Sequence, residues 1–416
     1  MKWFHQLTYT PFGEITTGFF FHLLGQAVVA VSGNQIAQAM VCVVGWYYII
    51  KGINDIKGYY LPFSGFYRFL YILYLLLCCI MIVRGYMIDY NYQWISFQGL
   101  INYHFFSPTY ILPYLMPLIA FIPLRYFNFR PFIKISIIIA VLSILICAIF
   151  FPQILNSAMA QAVGEDGLYS FGSSFAQIYL PVAFAVLCRQ YISKKTWLIN
   201  SVALFVILLV FAIAARRGST VTTACLFLFN LYFYIKTKRR STRILAVICS
   251  IIIVLGTAYY FMSSDAFAFI KARGLEDTRS GVDRALLSQM TDVEKVFGKG
   301  LNGRYYYPLY EDDYLQGWRY GSETGFYNIV LKGGYLMAFV YIVLLAYPAI
   351  LGIYKSRNIL CKALGFYIIL SLIKLYPFGW LMFNMEFLVI WMGVSMCYNP
   401  IIRNMSDRQV YLYFFR

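Results

Sequence analysis

Charge is scarce in this chain of 416 residues: Asp, Glu, Lys and Arg make up 12% of it, against roughly 25% in an ordinary soluble domain. With 61% apolar residues and a mean hydropathy of +0.68, the chain cannot cover a globular surface, so lipid must solvate much of it. Histidine is nearly absent. His5, His22 and His104 are the whole complement, and their spacing makes no metal site. A Walker A loop, a Gly-x-Ser-x-Gly elbow and an Asp-x-Asp pair are all missing. With them go the sequence signals of ATP-driven transport, of a serine hydrolase and of a metal-dependent nucleotide-sugar transferase. The run Glu311-Asp312-Asp313 has no second ligand set and is expected to be solvated. No cysteine falls in the long polar loop; those at 42, 78, 79, 147, 188, 225, 249, 361 and 397 sit in apolar blocks, so no disulfide framework is expected. A cleavable leader is not expected either, because Lys2 is followed by polar residues and the first apolar block has no small-x-small exit.

What the chain does contain is separate apolar blocks of about 15–22 residues, enough to cross roughly 30 Å of hydrocarbon as helix. Runs such as Ile135–Phe151, Leu198–Ala214 and Leu336–Ile353 lack the alternation of a spanning strand. The blocks predict about twelve spans, near 15–31, 36–50, 69–87, 109–124, 135–152, 173–188, 196–214, 218–235, 244–262, 324–350, 363–375 and 379–397. No linker, low-complexity tract or internal repeat divides them, so an all-α polytopic membrane protein with one domain over 1–416 is expected.

Sidedness follows from the basic residues, which favour cytoplasmic loops. With the N-terminus inside, the cytoplasmic loops receive Lys2; Lys51, Lys57 and Arg68; Arg125, Arg130 and Lys134; and Arg189, Lys194 and Lys195. They also receive Lys236, Lys238, Arg239, Arg240 and Arg243; Lys355, Arg357 and Lys362; and Arg403, Arg408 and Arg416. The net charge of +17 is therefore mostly an orientation signal, spread over short loops rather than gathered on one face as nucleic-acid binding would require. Both termini are expected in the cytoplasm. The opposite side takes most of the acids, a smaller segment at 88–108 and one large loop at 263–322, in which Val282–Met290 is patterned for a short helix.

Function is best sought where a charge occupies a costly place in a membrane protein. Arg216 and Arg217 stand in a turn of a few residues on the outer side, followed by Gly218 and Ser219 at a helix start. Guanidinium forks and helix N-terminal amides together suit a phosphate; the alternative is an ordinary cytoplasmic anchor pair. Arg84 lies near the outer end of its span, as a further phosphate or sugar contact or as a snorkelling side chain. Glu323 stands where the large loop re-enters the membrane, as an acid able to accept a proton from an attacking hydroxyl or as a carboxylate at a helix N-terminus.

The stretch Ser280-Gly281-Val282-Asp283-Arg284-Ala285-Leu286-Leu287, followed by Val296-Phe297-Gly298-Lys299-Gly300-Leu301-Asn302-Gly303, resembles the O-antigen polymerase and O-antigen ligase superfamily. Ser322-Glu323-Thr324-Gly325-Phe326 through Gly333-Gly334 resembles that superfamily's return helix, and Ala215-Arg216-Arg217-Gly218-Ser219 its small-residue-plus-arginine motif. The order of motifs, the twelve spans and the late periplasmic loop match across essentially the whole chain. One departure is clear: ligases begin the return helix with His-Asn, where this chain has Glu323-Thr324, which leans toward a polymerase.

The resemblance implies a GT-C-like integral-membrane glycosyltransferase of the bacterial inner membrane, inverting and without a metal or other cofactor. It would join undecaprenyl-diphosphate-linked oligosaccharide repeat units at the periplasmic face into O-antigen, capsule or exopolysaccharide. A flippase and a chain-length regulator of the same pathway are its implied partners. Arg284 and Glu323 would act in catalysis, while Arg216, Arg217 and Arg84 would hold the diphosphate. A ligase-like transfer to another acceptor and a flippase for lipid-linked sugars are the alternatives. A periplasm-dependent reporter fused after residue 217 is expected to be active; a cytoplasmic location for that residue would remove Arg216 and Arg217 from the outer anion site.

Overall fold

The computed structural model describes residues 7–88, 105–154, 178–213, 217–236, 280–307, 317–376 and 379–416. The expected span at 244–262 lies outside them, as does most of the segment 88–108. Helices dominate: α1 Pro11–Ser32, α2 Gln35–Asp55, α3 Gly65–Ile88, α4 Phe129–Ile149, α5 Lys194–Ile213 and α6 Arg217–Lys236. The second half of the chain adds α7 Ser280–Ser288, α8 Asp292–Phe297, α9 Gly325–Lys355, α10 Ile359–Lys374, α11 Met385–Tyr398, α12 Pro400–Asn404 and α13 Asp407–Phe414. Among the described residues the one sheet is a two-stranded antiparallel pair, β1 Tyr305–Tyr306 and β2 Trp318–Arg319. Among the described residues six helices are long and apolar enough to cross a membrane, namely α2, α4, α5, α9 and most of α3 and α6. This architecture is compatible with a polytopic membrane protein. The block expected as a span at 109–124 forms a shorter, tighter 3₁₀ segment, Leu112–Phe121, and the described part of the block at 173–188 contains another, Leu180–Cys188. Proline accounts for part of this in the first, where Pro117 removes a donor from its interior.

The chain divides into two compact units, Met1–Phe132 with Thr278–Arg416, and Ile133–Asp277. In the second, α5 and α6 pack with the 3₁₀ segment Leu180–Cys188. The Trp197 indole donates to Asn230 Oδ1 at 2.8 Å, the Asn230 amide donates to Ser201 Oγ at 3.1 Å, and the Tyr179 hydroxyl donates to the Asn200 carbonyl at 2.7 Å. Such side-chain bonds between helices replace a hydrophobic drive that lipid does not provide.

In the first unit α1 and α2 form a tight hairpin. A Cβ on Gly45 would lie 2.8 Å from the Gly18 carbonyl, and one on Gly52 would lie 2.5 Å from the Pro11 carbonyl. Small residues thus bring the two backbones into contact. Around α9 pack α3, α8, α10 and α11. Gly334, at φ 76° and ψ 176°, breaks α9 and frees carbonyls on its N-terminal side. The turn after α8 takes them up: Lys299 N–H donates to the Leu331 carbonyl at 2.7 Å and Gly300 N–H to the Lys332 carbonyl at 2.9 Å. On its other flank Leu301 N–H donates to the Met81 carbonyl at 3.0 Å, and the Asn302 amide to the Gly85 carbonyl at 3.1 Å. Residues 297–303 are therefore a wedge between the end of α3 and the break in α9.

Loops of this unit gather at two ends. At one, Tyr60 N–H bonds the Phe121 carbonyl, Arg125 bonds the Lys57 carbonyl, Arg357 N–H bonds the Arg403 carbonyl, and Arg130 reaches the Arg416 carbonyl. The start of α1 is there too, with Phe12 and Phe127 rings 5.2 Å apart. At the other end Phe383 N–H bonds the Pro108 carbonyl, Tyr110 bonds Asn302, and Phe326 N–H bonds the Leu375 carbonyl. Buried charge occurs at or within several of these helices, as in Glu14 of α1, which pairs with Lys51 of α2. Lys374 and Glu386 form an ion pair at 2.6 Å with both side chains nearly buried, and Lys332 is 6% exposed with no carboxylate paired to it among the described residues.

Gly298 and Gly334 both adopt positive φ and both meet backbone at once: a Cβ on Gly298 would sit 2.2 Å from the Lys332 carbonyl, and one on Gly334 2.0 Å from that of Val296. Gly334→Ala is expected to cost a few kcal/mol, read as loss of the monodisperse peak of detergent-extracted protein. A wild-type profile would contradict the wedge.

Candidate functional site

The site is assembled at the second of those ends. Helix α7 buries Val282 and Leu286 and leaves Arg284 exposed. The Arg284 guanidinium folds back along its own helix, Nε donating to the Ser280 carbonyl at 3.2 Å and an Nη to Ser280 Oγ at 3.4 Å. Gln289 ties α7 to the hairpin: its amide donates to the Tyr306 carbonyl and its Oε1 accepts from Tyr306 N–H, each at 2.8 Å. Thr291 and Glu294 form a capping box that starts α8. At the other end of α8 the Phe297 carbonyl accepts from Arg84 at 3.3 Å. Arg84 thus closes a helix C-terminus, where a cation suits the dipole.

Beside this contact lies a cavity of about 230 Å³ walled by Gly85, Glu294, Lys299, Asn302, Arg304 and Trp318. The Arg304 guanidinium stacks over the Trp318 ring, 4.4 Å from its centre, and also reaches the Tyr320 hydroxyl at 3.4 Å. The Lys299 ammonium donates to the Arg304 carbonyl at 3.3 Å. Two cations and an indole, with the Glu294 carboxylate in the same wall, leave a net positive cavity that suits an anionic group or the apolar face of a sugar.

Next to it the hairpin places Tyr305 opposite Arg319. Arg319 pairs with Glu323 at 3.4 Å, its own side chain mostly buried and that of Glu323 39% exposed. Asp283 Oδ1 accepts from Ser322 Oγ at 2.8 Å and from Thr324 Oγ1 at 3.3 Å. The Tyr305 hydroxyl donates to the Gly321 carbonyl at 3.2 Å. Burial pushes the Tyr305 phenol up to about 12; the Asp283 and Glu323 carboxylates add to the rise and Arg319 opposes it. Tyr305 therefore remains a neutral donor well past physiological pH, among two carboxylates and a guanidinium.

Of the residues singled out from sequence, Arg84, Arg284 and Glu323 all belong to this end of the first unit. Arg284 and Glu323 are linked through α7, whose Asp283 holds the residues on either side of Glu323. Arg216 lies outside the described residues. Arg217 opens α6 in the second unit, at the helix start expected there, and its side chain is not among those described. Sequence reasoning passed over Lys332 and the Lys374–Glu386 pair, although each is a charge within an apolar block and the same rule that selected Arg84 applies to them. Lys299, Arg304 and Arg319 read in the sequence as ordinary loop charges, since nothing local marks their convergence on Trp318 and Glu323. No family model, curated protein or solved structure matches the chain.

Tyr305→Phe removes one partly buried hydrogen bond and is expected to lower stability by about 1 kcal/mol, seen as a thermal midpoint a few degrees lower in detergent. An unchanged midpoint would show that the phenol does not hold the loop at Gly321.

Proposed function

We propose that this chain is an integral-membrane glycosyltransferase that polymerises oligosaccharide repeat units carried on undecaprenyl diphosphate. The observation that carries the reading is the small cationic cavity of Lys299 and Arg304, with Arg84 alongside and Glu323 nearby, at the end of the unit away from Lys57, Arg125, Arg130, Arg357 and Arg403. The positive-inside rule puts the latter end in the cytoplasm of a bacterial inner membrane. The cavity then faces the periplasm, with about twelve spans in all, both termini inside, and 263–322 as the periplasmic loop.

In this reading a hydroxyl of the incoming lipid-linked unit attacks the anomeric carbon of the growing chain. A bond forms to that carbon from the face opposite the departing oxygen, so configuration inverts. The bond to the lipid diphosphate breaks and its electron pair leaves with the diphosphate. Glu323 accepts the proton of the attacking hydroxyl. Cations hold the leaving group, the role of Arg284 and Arg84 in the first unit, because guanidinium charge is fixed and its fork fits phosphate. Lys299 and Arg304 join that set on the strength of the cavity they wall.

Deleting the gene is expected to leave single repeat units on the final acceptor. Long chains stranded on the lipid carrier would instead indicate a ligase, and lipid-linked units trapped in the cytoplasmic leaflet a flippase. Arg284→Ala and Glu323→Gln are expected to abolish chain extension, and Arg84→Ala to reduce it roughly tenfold to a hundredfold, with each protein still accumulating in the membrane. Normal ladders from all three would overturn the site.

A further inference from the structure

We propose that Asp283 is a positioning residue for Glu323: it grips the hydroxyls on either side of that carboxylate and so fixes the direction in which Glu323 points. The inference rests on the reading of Glu323 as the proton acceptor, but its geometry is independent of that chemistry. Thr324 has extended backbone angles, φ −88° and ψ 128°, before α9 begins. Ser322 and Thr324 both turn inward, 0% and 3% exposed, and both donate to one oxygen, Asp283 Oδ1. A third bond locks the turn, Thr324 N–H donating to Ser322 Oγ at 3.1 Å. Glu323, between these two buried anchors, pairs with Arg319 at 3.4 Å, and 39% of its side chain stays accessible.

Asp283 also sits one position before Arg284 on α7. The same carboxylate therefore ties the helix carrying Arg284 to the loop carrying Glu323, across 39 residues of sequence between Asp283 and Ser322. The Tyr305 hydroxyl holds the same loop at Gly321, and Gln289, just past α7, bonds Tyr306 of the strand that carries Tyr305. Asp283 differs from these in acting directly on both neighbours of Glu323. What it supplies is an acceptor oxygen, so asparagine, which retains one, should substitute and alanine should not.

The test uses full-length protein in membranes, with Glu323→Cys as a reporter and a membrane-impermeant maleimide as the probe. Adding Asp283→Ala is expected to change the labelling rate at position 323 by at least about fivefold, the scale of one lost hydrogen bond. Adding Asp283→Asn should leave the rate near that of the single variant. The Ser322→Ala/Thr324→Ala pair, which leaves Asp283 intact, should reproduce the alanine result and decides the matter if Asp283→Ala does not accumulate. Equal labelling rates in all backgrounds would overturn the inference. In otherwise native protein, Asp283→Ala should shorten the glycan ladder, short of the full loss expected of Glu323→Gln, and Asp283→Asn should restore it. Altered labelling with normal ladders from both Asp283→Ala and Glu323→Gln would leave the positioning intact and sink the proton-acceptor reading. Unaltered labelling with a ladder lost only in Glu323→Gln would do the reverse.

Discussion

The break in α9 at Gly334 imposes the condition that the surrounding structure meets. A helix interrupted among apolar neighbours leaves carbonyls that cannot turn to water, and each unsatisfied group in such a place costs several kcal/mol. The chain answers with a turn from its own large loop. Lys299 and Gly300 supply the missing donors, and the positive φ of Gly298 and Gly300 lets that turn lie directly on the broken helix. Irregular backbone near membrane depth is tolerable only when buried in protein in this way.

Because the wedge must also bond the end of α3, a membrane helix, a loop turn and the return helix meet at one point. Lys299 and Arg304 flank that point within five residues of each other and wall the cavity beside it. Arg84 reaches it from α3 by closing α8 at Phe297. The cations are gathered as a consequence of repairing a helix, and the hairpin of Tyr305 and Arg319 then brings Glu323 alongside. Buried charge elsewhere is handled by direct pairing, as in Lys374 with Glu386. Lys332 is the exception: it lies two residues before the break, deeply buried, and no carboxylate pairs with it among the described residues.

Much of this was legible in the chain. Hydropathy blocks located α1, α2, α3, α4, α5 and α9, and the apolar pattern of Val282–Met290 matched α7, because helix in lipid requires little beyond length and apolarity. The tight 3₁₀ form of Leu112–Phe121 was not, since hydropathy cannot distinguish a full span from a short segment rich in proline. Arg84, Arg284 and Glu323 were visible as charges or motif residues. Their surroundings were not. The grip of Asp283 on Ser322 and Thr324, and the stacking of Arg304 on Trp318, join positions whose relation depends on a loop conformation that local pattern leaves unspecified.

The proposed formation of glycosidic bonds between lipid-linked units can be measured on the purified protein in lipid nanodiscs. The substrate would be lipid-linked repeat units extracted from a host strain lacking the gene. Glycans of increasing length are expected, with one undecaprenyl diphosphate released for each bond formed. Recovery of unextended units with no released carrier, under conditions where the protein remains monodisperse, would contradict the proposal.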